Sequence, residues 1–169
     1  PFLLNPPPIA MINLSYTEIG DNGMEILSEL IYADNASLKS LDLSFCNISS
    51  QGLLSLCHGL WTRGTRGLPS IQALSLTGNA IALDVAKQLG RALSTNRHQA
   101  FAQNGGWDVM NQPSTQDQSL NRTVPSVSPS SCSDGIRLLH LGCTSISSGS
   151  LIEILSGLGP TCPLEELKI

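Results

Sequence analysis

Three histidines and five cysteines are the residues of this 169-residue chain best suited to nucleophilic, acid–base or metal chemistry. His58 falls on an expected helix, His98 in a polar stretch and His140 on an expected strand. Cys46, Cys57, Cys132, Cys143 and Cys162 form an odd set without a Cys-x-x-Cys pair, so neither a zinc site nor a disulfide framework is indicated. The best nucleophile–base pair that can be drawn is Cys46 with His140. The repeating pattern described below puts a whole repeat between them, too far for a hydrogen bond at about 4.8 Å per strand step. Neither Gly-x-x-x-x-Gly-Lys-[Ser/Thr] nor Gly-x-Gly-x-x-Gly occurs. No catalytic residue, cofactor site or metal site is nominated, and the chain is not expected to be an enzyme.

Charge and composition narrow the partners. The formal charge of -4 gives no basic footprint for nucleic acid, while a basic or neutral protein partner is compatible with it. No run of about 18 apolar residues is present, so no membrane span is expected. Aromatic residues are only 4% of the chain, and a core must therefore be built from Leu, Ile, Val and Ala. Unpatterned cysteines suit reduced thiols in the cytoplasm or nucleus. Four Asn-x-Ser/Thr matches, at Asn13, Asn35, Asn47 and Asn121, are expected by chance in so Ser- and Asn-rich a chain. The chain opens Pro1-Phe2-Leu3-Leu4 and stops at Ile169 within a motif, so a piece of a longer protein is expected.

The elements that must position any functional side chain are repeated. Ile9-x-x-Ile12-x-Leu14 returns as Leu38-x-x-Leu41-x-Leu43, Ile71-x-x-Leu74-x-Leu76, Ile136-x-x-Leu139-x-Leu141 and Leu164-x-x-Leu167-x-Ile169. A further apolar anchor follows the third position by five residues, at Ile19, Ile48, Ile81 and Ile146. The starts are 29, 33, 65 and 28 residues apart, a basic unit with one short and one long insertion. The Leu-x-Leu step has the period of a strand buried on one face. An amphipathic helix follows each strand, carrying Met24, Leu27 and Leu30 or Ile31; Leu53, Leu56 and Leu60; Ala86, Leu89 and Leu93; or Leu151, Ile154 or Leu155, and Leu158. Ser49 or Ser50, and Ser147 or Ser148, are the expected N-caps. One strand and one helix cannot bury their apolar faces alone, but stacked copies can.

The pattern resembles leucine-rich repeats of the ribonuclease-inhibitor-like class, over residues 9–93 and 136–169. The resemblance implies an α/β, right-handed solenoid or horseshoe with parallel strands inside and helices outside. It also implies a polar residue at the ninth repeat position, where Thr17, Cys46, Asn79 and Thr144 stand, bonding backbone groups of the turn. Small residues are favoured at the turn into the helix, and Gly23, Gly52 and Ser150 fit while Val85 departs. The run LKSLDLSFCNISSQGLLSLCHGL is similar to the C-terminal repeats of tonsoku-like proteins, which are nuclear genome-maintenance scaffolds.

The organisation expected is a tail of a preceding unit or a loop at 1–8, repeats 1–3 at 9–93, a disordered low-complexity insertion at 94–135, and repeat 4 with the start of a fifth at 136–169. Residues 61–68, with Trp61, Arg63 and Arg66, are read as a solvated loop with Trp61 packed on the helix end rather than as a recognition loop. The insertion is rich in Ser, Gln, Asn, Pro and Thr and cannot bury enough apolar surface to offset its ordering entropy. Its Ser128-Pro129 step is either a phosphorylation site or plain low-complexity sequence.

The resemblance implies a protein-protein interaction module of an intracellular scaffold, with a protein partner on the concave sheet. Strand alternation gives the outward columns. One column is Asn13, Asp42, Ser75, His140 and Lys168; another, just beyond the strand, is Tyr16, Phe45, Gly78 and Cys143. A third is Lys39, Gln72, Arg137 and Glu165. Tyr16, Phe45, Asp42, Asn13, His140 and Arg137 are the candidate partner-binding residues. The alternatives are a regulator of an enzyme, such as a GTPase activator or a ribonuclease inhibitor, in which Arg137 would be the acting arginine, and a receptor recognition domain.

Overall fold

Each Leu-x-Leu step becomes a three-residue strand in a computed structural model of the chain, which describes residues 9–33, 37–94, 135–160 and 162–169. The strands are β1 Met11–Asn13, β2 Ser40–Asp42, β3 Ala73–Ser75, β4 Leu138–His140 and β5 Glu166–Lys168. They form one parallel sheet in chain order, β1-β2-β3-β4-β5. The register is that of the repeat: Ile12 faces Leu41, Leu41 faces Leu74, Leu74 faces Leu139 and Leu139 faces Leu167.

Between the strands run α1 Gly20–Tyr32, α2 Ser50–Thr65, α3 Leu83–Leu93 and α4 Ser148–Leu158. Each helix packs on the next. Strand and helix anchors meet in one core in which Leu41, Leu74, Leu139, Leu56, Leu89 and Ile154 are all at most 2% exposed. Of the paired choices left by helical spacing, Ile31 and Ile154 are buried, while Leu30 and Leu155 are each 40% exposed. Ser49 and Ser147 are the N-caps, accepting from the Gln51 and Ser150 amides. The outermost units are less covered, with Ile9 at 45% and Ile169 at 61% exposure.

Close helix contact depends on missing side chains. A Cβ on Gly157 would overlap the backbone of Gly90, so α3 and α4 touch backbone to backbone there.

The short insertion differs from its sequence reading. Residues 61–65 are not loop but the last part of α2, which has 16 residues against 13 in α1 and 11 in α3 and α4. About one extra helical turn takes up the surplus residues without disturbing the strand register. Trp61 does pack against the core. Arg63, expected in solvent, is 1% exposed. Its guanidinium donates to the carbonyls of Pro69 at 2.7 Å, Ile31 at 2.9 Å and Leu38 at 3.1 Å. The sequence readings for residues 1–8 and for nearly all of 94–135, with His98, Cys132, Asn121 and Ser128, lie outside the described residues.

Candidate protein-interaction surface

The strand ladder continues past the strands into the turns. Tyr16 N donates to Ser44 O at 2.8 Å, Phe45 N to Thr77 O at 2.7 Å, and Gly78 N to Gly142 O at 2.8 Å. To make these bonds the chain turns through left-handed backbone at the same place in the first four units: Tyr16 at φ 60°, Phe45 at 54°, Gly78 at 75° and Cys143 at 56°. Glycine accepts this conformation freely, and a bulky residue is strained by about 1 kcal/mol or more.

Tyr16 and Phe45 therefore come to lie on adjacent steps. Their rings stack with centroids 4.9 Å apart and 12° between planes. The next step has no side chain, and a Cβ on Gly78 would overlap the Phe45 ring. The order is Gly78, Phe45, Tyr16, with the far face of Tyr16 open to solvent: Tyr16 is 76% exposed and Phe45 41%.

Polar side chains brace the turns from below, as the ninth repeat position implied. Asn79 is 2% exposed. Its Nδ2 donates to the carbonyls of Leu43 at 2.7 Å and Leu76 at 3.1 Å, and its Oδ1 accepts from Ile48 N at 3.2 Å. Thr17 and Thr144 each donate to a carbonyl three residues back at 2.6 Å. Cys46 donates its thiol to Leu14 O at 3.0 Å. Burial pushes the Cys57 thiol up to about 12, which keeps it protonated and unreactive. The four described cysteines are free thiols.

The strand column of the sequence reading is a column in the structure. Asn13, Asp42, Ser75, His140 and Lys168 are successive register partners. Asn13 Oδ1 accepts from Ser15 N at 2.9 Å and Ser15 Oγ at 2.7 Å. Asp42 Oδ1 accepts from Ser44 N at 3.0 Å and Ser44 Oγ at 2.5 Å. The carboxylate is thus turned to its own loop. His140 is not freely exposed, since its side chain is 29% accessible. Its Nε2 is buried without a hydrogen bond and lies 3.5 Å from Glu166 Oε1. Lys168 Nζ meets the same oxygen at 2.6 Å. The hydrogen bond and charge of Lys168, with a smaller pull from His140, hold the Glu166 carboxyl below the ordinary carboxylate value.

Arg137 is placed differently from the rest. It precedes β4 rather than lying in it, and its guanidinium is held by Glu165 at 2.5 Å. A column missed from the sequence runs beside the first: Met11, Ser40, Ala73, Leu138 and Glu166, two residues earlier on each strand. Strict period-two alternation would have found it. Among the described residues no three of His, Cys, Asp and Glu are grouped to hold a metal, and no helix is long and apolar enough to cross a membrane.

The surface is therefore a five-step face, with one polar column and one mixed column that includes exposed Met11, bordered by an exposed aromatic step. No curated protein matches the chain. Residues 12–28 and 34–57, spanning much of the first two strand–helix units, match the family model described as Leucine Rich repeat. The repeating strand–turn–helix unit, the one parallel sheet in chain order and the matching anchors fit a leucine-rich-repeat fold, and the family match falls on the first two of these units.

Proposed function

We propose that the chain is a protein-protein interaction module that seats its partner on the solvent face of the sheet, gripped by the Tyr16–Phe45 step. One observation carries the reading. Two aromatic residues occupy left-handed positions where a neighbouring unit has glycine, and both remain exposed. Two strained residues cost about 2 kcal/mol or more in total. A stacked aromatic pair returns about 1 kcal/mol beyond the area it buries, and Tyr16, at 76% exposure, buries little. Folding gains little from Tyr16, whereas exposed aromatics are strong anchors for a protein partner. Asn13 and Asp42 stand on the strands that lead into the step, His140 lies two strands further along the same column, and Arg137 lies at the opposite rim of the sheet. Leucine-rich repeats generally serve protein-protein interaction, which agrees.

The setting we propose is an intracellular scaffold, in nucleus or cytoplasm. The resemblance of residues 38–60 to tonsoku-like repeats supports a place in genome maintenance, and imaging of the tagged full-length protein in dividing cells tests it.

Replacing Tyr16 and Phe45 together with Gly tests the binding surface. Partner capture by the full-length protein should be abolished while the repeats stay folded, since relieved strain offsets part of the lost stacking and burial. Undiminished capture would overturn the proposal.

A further inference from the structure

Where β2 and β3 run into their turns, four side chains form one hydrogen-bonded chain across the inner units of the stack. The Ser44 hydroxyl donates to Asp42 Oδ1 at 2.5 Å. Ser44 Oγ lies 2.7 Å from Ser75 Oγ, which lies 3.4 Å from Thr77 Oγ1. An ionised carboxylate only accepts, and each hydroxyl has one proton to give. The Ser44 proton goes to Asp42, so Ser44 accepts from Ser75. The Ser75 proton is then used, so Ser75 accepts from Thr77. Asp42 thereby sets the direction of all three hydroxyls, and the Thr77 end offers lone pairs and no spare proton. Its link is the longest of the three, and Thr77 is part-exposed, so its oxygen is within reach of a partner.

The next unit leaves room there. Two residues beyond the register pair of Ser75 and His140, Thr77 is matched by Gly142. A Cβ built on Gly142 would have as its nearest neighbours Thr77 Cγ2 at 3.6 Å, Thr77 Oγ1 at 3.9 Å and Ile169 C at 4.0 Å. Nothing would be displaced, so a notch the size of a side chain opens directly against the Thr77 hydroxyl. One residue after Thr77, the Phe45 ring lies over Gly78.

From this geometry we infer that the partner segment seated on the sheet lays its main chain over Gly142 and donates a backbone N–H to Thr77 Oγ1. The inference rests on the protein-binding reading above and adds the group that the partner must present. Glycine lets another backbone approach closely. A partner carbonyl or carboxylate in the notch would set lone pairs against lone pairs, because Thr77 has no proton left to give. Hydroxyls aligned head to tail polarise one another, which strengthens the chain they form. The room is that of a missing side chain and suits a main-chain amide. A strongly hydrated ammonium group would shed water there for a single acceptor.

The test uses peptides selected from a displayed random library on immobilised full-length protein. They are remade with single amides replaced by esters, which removes one N–H at a time. One replacement should weaken binding to the parent at least about fivefold, the loss of one hydrogen bond, and leave binding to Thr77→Val unchanged. Thr77→Ser keeps the oxygen and should bind like the parent. Gly142→Ala, which the surrounding atoms accommodate, should weaken every such peptide. Ser44→Ala should weaken them too, although Ser44 is only 8% exposed, because Ser75 is then released to donate to Thr77.

An empty selection, equal binding to Thr77→Val and the parent, or an ester effect that persists in Thr77→Val would overturn the inference. Peptides that still need Tyr16 and Phe45 would then show that the binding surface stands and only the donor assignment has failed. Peptides indifferent to Tyr16, Phe45 and Thr77 alike would remove the surface itself.

Discussion

A single buried arginine shows how much one side chain can tie together. Arg63 ties together the end of α1, the strand entrance at Leu38 and the return at Pro69 through three carbonyls. A guanidinium suits this because its planar fork presents five donors at fixed angles. Removing it would strand buried acceptors at about 1 kcal/mol or more each. Arg63→Leu is therefore expected to lower unfolding free energy by about 3 kcal/mol in urea titrations, and Arg63→Lys by less. A loss below about 1 kcal/mol for the Leu variant would mean that water replaces the clamp. The core anchors and the outward column at Asn13, Asp42, Ser75, His140 and Lys168 were legible in sequence because strand and helix periods alone decide them. Arg63 was not, since nothing in Trp-Thr-Arg-Gly-Thr-Arg-Gly marks which arginine turns inward. The left-handed backbone at Tyr16 and Phe45 was equally hidden, because aromatic residues are the last to suggest it.

At the scale of elements, the contact between α1 and α2 rests partly on a carboxylate. Asp21, in the first turn of α1, accepts from Ser49 Oγ at 2.5 Å, Ser49 N at 3.0 Å and Gly52 N at 3.2 Å at the start of α2. Ser49 meanwhile caps α2 through Gln51 N. The Ser49 hydroxyl, then its amide, then that of Gly52 hold the Asp21 carboxyl below its ordinary 3.8. A carboxyl lowered on folding contributes stability above its unfolded value, and that contribution is lost as pH falls through the folded value. The parent should therefore lose stability in acid, below about pH 4, more steeply than Asp21→Asn does. Urea midpoints at pH 7 and pH 3 check this, and parallel losses in the two proteins would refute it. Ser49→Ala should cost about 1 kcal/mol at neutral pH through the lost cap alone. Sequence alone showed the cap at Ser49 or Ser50, but not the acid that reaches it from 28 residues away.

Across the whole molecule, every unit touches chiefly its neighbours, so stability is expected to vary along the stack. Leu41 and Leu74 are 1% and 2% exposed, against 45% for Ile9 and 61% for Ile169. Amide exchange should be slowest in β2 and β3 and faster in β1 and β5. Uniform protection would show instead that the stack opens as one body. The strand order and the sharing of one core were legible from the repeat itself. The fate of the surplus residues was not, because Trp61 to Thr65 lack the apolar spacing that would have extended the helix.

That surplus has a further consequence. Both departures from the basic unit, the extra turn of α2 and the long segment between Ser94 and Gly135, fall where a helix returns to the next strand. The aromatic step sits at the other junction, where a strand turns toward its helix. Length variation and recognition thus occupy opposite rims of the same sheet. A reporter spliced between Arg66 and Pro69 would ride on the variable rim, leaving the Tyr16 ring face as open as before.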